Sequence, residues 1–295
     1  MTMPLHNKEG FFKYYTATSA KLTLRHTSRK WSTPLLFNDP FENQFELHLQ
    51  DMSDELVDHN LQQWHALVTS PDPLRPNQLG HLTPIVEYIR QIRQQHDLQY
   101  TEAELAYVRE GVVEGMKRAT NISAEINAQI RSVMADTSIF CVSETHDNLL
   151  MWSHYAQNHT GAVIKFLALP EVDSPLIVVQ PVRYTIRMPR REFASMLDFQ
   201  KSLTEIVELI TLIKSDVWAY EKEWRIVAGL RDKTQSYEIL SYAPEEVGEV
   251  YLGCKMAEDD KAELIEITRR LYPQAQLYQA EKYPREFALI FTKIA

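Results

Sequence analysis

The segment from Trp218 to Ala228, WAYEKEWRIVA, carries two carboxylates and a guanidinium at alternate positions. Read as a strand, it places Glu221, Glu223 and Arg225 on one face and Lys222, Trp224 and Ile226 on the other, which packs inward. Closely spaced carboxylates raise each other's pKa, so one can serve as acid, base or stabiliser of a developing cation. The competing reading is a row of strand ion pairs in which Arg225 neutralises Glu223, worth little if exposed.

A second constellation runs from Asp147 to His159, DNLLMWSHYAQNH. As a helix it aligns Trp152, Tyr155, Ala156 and His159 on one face, with Met151 and His154 on the neighbouring one. Such aromatics line a flat-ring pocket or fill a core, and His154 is a base or a hydrogen-bonded core histidine. His154 and His159 lie five apart, not at the i, i+4 spacing of a zinc site, and no metal is expected. Asn38-Asp39-Pro40-Phe41-Glu42 reads as an Asx turn that aims Glu42, with too few oxygen donors for a cation. Lys13, beside Tyr14 and Tyr15, offers a point charge for phosphate or an edge-strand charge that blocks aggregation. Cys141 and Cys254, far apart among apolar residues, read as buried thiols of a reducing compartment.

These groups need elements to hold them. Phe11 to Tyr15 reads as an aromatic strand, and Lys21 to Thr27 alternates with period two. From Ser53, a plausible N-cap, to about Asp136 the chain is helical. Thr101 and Glu104 form a capping box there, and Ser70 to Pro84, with four prolines, is a loop. Strands follow at Thr137–Ser143, Gly161–Leu167 and Leu176–Tyr184, then an amphipathic helix from Arg190 to Ser215. Strands at Trp218–Ala228, Tyr237–Leu240 and Glu249–Leu252, a helix at Glu258–Leu271 and a strand near Glu286–Thr292 complete the chain. The expected fold class is α+β: a mixed, partly antiparallel sheet with a helical insertion, 53–136, after the first strands of one domain spanning 1–295.

Composition narrows the function. The 295 residues carry a formal charge of −9, which weighs against a broad nucleic-acid surface. None of the eight glycines are spaced for a GxGxxG turn or a P-loop, so typical Rossmann oxidoreductases and P-loop NTPases are excluded. The opening MTMPLHNKEGFFKYY lacks the apolar core of a signal peptide, and no window has the apolar length of a membrane span. The expectation is a cytoplasmic protein with no membrane partner.

Four stretches occur in a recognisable order: FFKYY, LLFNDPFE, CVSETHDNLLMWSHYAQNHTGAVIKF and WAYEKEWRIV. On them the chain resembles the bacterial family catalogued as domain of unknown function 2971, from about Phe11 to Phe291, with MWSHY and YEKEWR the specific pair. More distantly it is similar to ADP-ribosyltransferase folds. Those place a basic or His residue on an early strand, a Ser- or Tyr-bearing strand next, and often Glu-x-Glu on a late strand. Lys13 or Tyr14, then Ser143, then Glu221-Lys222-Glu223 fall in that order. Lys13 departs from the usual Arg or His, and Val142-Ser143-Glu144 from the Ser-Thr-Ser pattern. The resemblance implies an NAD-consuming, transferase-like enzyme, with a background expectation of phage-defence or toxin systems. In it Glu223, Glu221 and His154 are catalytic, and Lys13, Tyr14, Ser143, Trp152, Tyr155 and Arg225 bind substrate. NAD is then a nucleotide substrate, with no cofactor tightly bound. Two rivals stay open: a nucleotide- or peptide-binding module without chemistry, which leaves room for a protein partner, and a hydrolase or nuclease using His154 with Asp39, Glu42 or Glu223.

Overall fold

The aromatic run GFFKYY forms β1 (Gly10–Tyr15), which pairs antiparallel along its whole length with β4 (Ala162–Leu167). β3 (Thr137–Ser143) pairs over seven residues with β8 (Glu223–Gly229) but meets β1 only where Phe12 faces Ser143. β2 (Ser28–Ser32) touches the same edge of β3 at Ile139 and continues to β9 (Tyr237–Ser241). The sheet therefore opens beside the end of β3, where β1 and β2 part. On the far side of β4 lie β10 (Val247–Leu252), β11 (Gln276–Lys282) and the edge strand β12 (Leu289–Ile294), β10 and β11 being parallel. The mixed, partly antiparallel sheet and its helices make the fold α+β.

This computed structural model describes residues 6–42, 54–74, 83–96, 101–187 and 210–294. They divide into two compact units. One holds the sheet, with residues up to 42, those of 133–187 and those from 210 onward; the other holds 54–132. The second unit consists of α2 (Asp54–Thr69), α3 (Thr83–His96) and most of α4 (Glu102–Ala135). The capping box opens α4: Thr101 N donates to Glu104 Oε2 at 2.8 Å and Glu104 N to Thr101 Oγ1 at 3.2 Å. Ser53, the expected cap of α2, lies outside the described residues.

Several elements differ from the sequence expectation, each for a local reason. Lys21 to Thr27 is not a strand; α1 (Ala17–Arg25) is a helix whose Thr16 cap accepts from Ser19 N. Its Ala17, Ala20 and Leu24 are buried at helical spacing while Leu22 is half-exposed. Leu176 to Tyr184 is broken by Pro175 and Pro181 into a 3-10 turn at Pro175–Val178 and the short strands β5 (Gln180–Pro181) and β6 (Arg183–Thr185). The helix expected from Arg190 lies largely outside the described residues, and its last part is instead β7 (Ile213–Ser215), parallel to β6. The final helix, α6 (Glu258–Leu271), has the expected bounds. It buries Leu264 and Ile267 over the sheet, each worth about 1.5–3 kcal/mol.

Candidate active site

The motif YEKEWR is not one strand. Asp216–Glu221 is a 3-10 helix, Lys222 takes a left-handed φ of 44°, and β8 begins at Glu223. Strand alternation therefore does not bring Glu221 and Glu223 together; the helical turn and the reversal at Lys222 do. The charged side is also the more deeply buried one: Arg225 is 1% exposed and Glu221 3%, whereas Trp224 on the expected inward face is only half-buried. Ile226 is buried as expected.

Lys214, from β7, closes the group. Its Nζ lies 2.6 Å from Glu221 Oε2, 3.0 Å from Glu223 Oε2 and 3.6 Å from Glu42 Oε2. Arg225 donates from Nε and Nη2 to the two oxygens of Glu223, both at 2.9 Å, and pairs with Glu42 through Nη2; its Nη1 donates to Thr211 O at 2.7 Å. Among the described residues three carboxylates thus share two directly contacting cations, with Lys13 a third basic group on the same cavity. Burial, the largest influence, and the Glu221 charge push Glu223 above the ordinary carboxylate range although Lys214 pulls it down. Desolvation opposes the Lys214 ammonium, but Glu223 and Glu221 outweigh it and raise its pKa. Burial lowers Arg225 to about 9, so it remains cationic at neutral pH.

Glu42, Glu221, Glu223 and Lys214 border a cavity of about 380 Å³ in the opening beside β3. Lys13, Tyr14, Ser143, His154 and Tyr155 border it too, so seven of the nine expected site residues converge. Tyr155 OH donates to Glu221 Oε1 at 2.5 Å, and burial, then the Glu221 charge, raises the phenol pKa. Ser143 Oγ donates to Glu221 O at 2.6 Å and accepts from Thr145 N, which ties the 3-10 helix to the end of β3. Lys13 reaches across the gap to donate to Cys141 O at 2.6 Å. Desolvation lowers its pKa although Cys141, Glu223 and Glu221 favour its charge. With carboxylates this close, Lys13 is poorly placed to receive a phosphate. The half-buried Cys141 thiol is held protonated by loss of water and by Glu223.

Two expected residues stand back from the cavity. Arg225 acts through Glu223. Trp152 is fully buried, donating from Nε1 to His146 O at 2.7 Å and lying edge-on to Tyr14, so it is a packing residue and not a stacking platform. The helix expected over Asp147 to Asn158 is shorter: α5 (Leu149–His154) starts at Asn148, whose side chain accepts from the Leu150 and Met151 amides. Its end is a left-handed turn with positive φ at Gln157, Asn158 and His159, each costing on the order of 1 kcal/mol or more. The shared face of Trp152, Tyr155 and His159 thus does not arise from one helix, although the Trp152 and His159 rings stack at 6.1 Å. His154 meets Tyr220 OH at 3.1 Å from the cavity's rim.

The Asx turn is present: Asp39 Oδ1 accepts from Phe41 N at 2.9 Å, while Oδ2 accepts from Trp218 Nε1 at 2.7 Å. Among the described residues no group of three or more His, Cys, Asp and Glu side chains is arranged to hold a metal. Glu42, Glu221 and Glu223 face ammonium and guanidinium groups instead. Lys214 is the member that sequence reasoning missed, because a single Lys in a run read as amphipathic helix carries no signal of its own.

The family model described as "Protein of unknown function (DUF2971)" matches residues 151–226, about a quarter of the chain. The match runs from α5 into β8 and so includes both MWSHY and YEKEWR. No curated protein and no solved structure matches the chain, and the likeness to ADP-ribosyltransferase folds gains no support from these comparisons. Among the described residues no helix is long and apolar enough to cross a membrane.

Proposed function

We propose that the cavity beside β3 is the active site of an NAD-consuming enzyme that cleaves the nicotinamide–ribose bond. The carrying observation is the gathering of three carboxylates, Glu42, Glu221 and Glu223, at one cavity, held in place by Lys214 and Arg225 in a wall shielded from water. Fixed carboxylates at a cavity stabilise positive charge beside them, and the nicotinamide–ribose bond carries positive charge in both the ground state and the transition state. As the C–N bond breaks, its electron pair leaves with nicotinamide, which becomes neutral without needing a proton. The charge passes to an oxocarbenium-like ribose, which a fixed carboxylate stabilises as it forms. Water or an acceptor hydroxyl then bonds to the ribose carbon and gives up its proton. Glu223 and Glu221 face the ribose in this reading, with Arg225 and Lys214 fixing their orientation. Tyr155 and Ser143 hold Glu221 and the 3-10 helix in place, and the cavity size lies within the range of small-molecule sites.

Incubation with NAD and chromatographic detection of nicotinamide tests the reading. Release that vanishes in Glu223→Gln supports it. One observation favours the rival binding module: every oxygen of Glu221 and Glu223 already accepts a hydrogen bond. Saturable NAD binding without nicotinamide release is the result expected of that rival.

A further inference from the structure

A second cavity, of about 540 Å³, lies where the turn between β11 and β12 meets the left-handed turn after α5. Its charge is opposite in character to that of the first. Lys255, Lys282 and Arg285 border it, all three exposed, and among the described residues none of their side chains makes an ion pair. In a chain of net charge −9, this one concavity gathers three cations. One carboxylate, that of Glu286, borders the cavity and offsets a single charge.

The fourth basic wall residue is His159. Its Nδ1 is buried with no hydrogen-bond partner, while Nε2 meets Ser153 Oγ at 3.3 Å. Desolvation, then the charges of Lys255 and Lys282, hold its pKa below the usual value, so the ring is neutral at pH 7. The backbone here is pinned: Lys255 N donates to His159 O at 3.0 Å and Gly253 N to Gly161 O at 2.9 Å. The turn of the β11–β12 hairpin adds Tyr283 and Phe287, the latter fully exposed, as apolar surface beside the cations.

We propose that this cavity binds the phosphate group of a small phosphorylated molecule, with Lys255, Lys282 and Arg285 taking the phosphate. Tyr283 and Phe287 take a ring or apolar portion. Clustered cations satisfy a dianion through charge-assisted hydrogen bonds, and Arg285 can bind two of its oxygens at once. The exposed rings then favour a phosphorylated ligand with a flat body over the bare ion. This site stands apart from the proposed NAD chemistry: its ligand contacts involve none of the carboxylates beside β3, and its test uses no turnover.

The test is titration of the whole chain with inorganic phosphate and with AMP at constant ionic strength, followed by backbone amide shifts. Saturable shifts at 253–256 and 282–288 are expected, with AMP binding tighter than phosphate. The double variant Lys282→Gln, Arg285→Gln should weaken both ligands about tenfold or more. These side chains are exposed, so the fold should be preserved, and an unchanged melting midpoint verifies it. Phe287→Ala should weaken AMP and leave phosphate unaffected. Absence of saturation by AMP up to about 10 mM, a range already as weak as roughly 3 kcal/mol of binding, would overturn the proposal. So would equal affinity in the double variant, or saturation by a 5′-phosphorylated oligonucleotide with none by AMP.

Discussion

Replacing Lys214 with Met keeps an unbranched side chain and removes the ammonium shared by Glu221 and Glu223. The wild-type side chain is 5% exposed and its two nearest carboxylates 4% and 8%, so water cannot substitute for it. Removing one partner from a buried ion pair costs about 3–5 kcal/mol at neutral pH, because the orphaned charge stays behind. The loss should depend on pH. Glu223 already has a folded-state pKa above its ordinary value, and without Lys214 that pKa rises further. A carboxyl raised in the folded state binds more protons there than in the unfolded chain. Stability therefore falls as pH rises from the unfolded value, about 4.3, through the folded one. The deficit of the variant should accordingly be smaller at pH 5 than at pH 8. Lys214 itself adds no slope in that window, since its raised pKa keeps it charged in both states. Urea unfolding at the two pH values, with the slope against urea unchanged, reads the difference directly. A loss below about 1 kcal/mol, or an equal loss at both pH values, would show that the cluster is hydrated and that the burial argument is wrong.

Three further outcomes follow from the same geometry. Trp152→Ala should cost about 3–5 kcal/mol in denaturant, as expected for a fully buried ring; a change under 1 kcal/mol would mean that it is not a packing residue. Gly253→Ala brings a Cβ to 2.2 Å from the backbone oxygen of His159, so stability should drop by about 1–3 kcal/mol, and an unaltered melting midpoint would contradict the close approach. Tyr155→Phe removes the bond to Glu221 Oε1, worth about 1.5–3 kcal/mol for a charged acceptor, and nicotinamide release should fall with it; unchanged stability and rate would detach Tyr155 from the site.

What could be read from the sequence was local chemistry and long periodicity. The helix Glu258–Leu271 and the Thr101–Glu104 box were legible because each is specified within a few turns. The co-occurrence of MWSHY and YEKEWR corresponds to a contact in the fold, Tyr155 donating to Glu221. Its geometry is not legible: the sequence alternates as a strand would, while Lys222 in a left-handed conformation turns the chain between the two carboxylates. α1 is hidden in the sequence because Leu22 and Leu24 mimic period two, while the buried Ala17 and Ala20 are small residues with little pattern of their own. Lys214 meets Glu223 from 9 positions away and Glu42 meets Arg225 from 183, and no motif records such encounters.

The most direct measurement is nicotinamide release from NAD by the wild-type chain and by Glu223→Gln at equal folded concentration. The substitution keeps the shape, but the Gln amide nitrogen must face a donor of Arg225 or Lys214, so some stability is lost and both chains are compared at a temperature well below their melting midpoints. The expected result is release by the wild type and a rate about 10²–10³ lower in the variant, the scale of losing one preorganised electrostatic contact. Equal rates would remove Glu223 from the chemistry, and no release by the wild type would contradict the enzymatic reading.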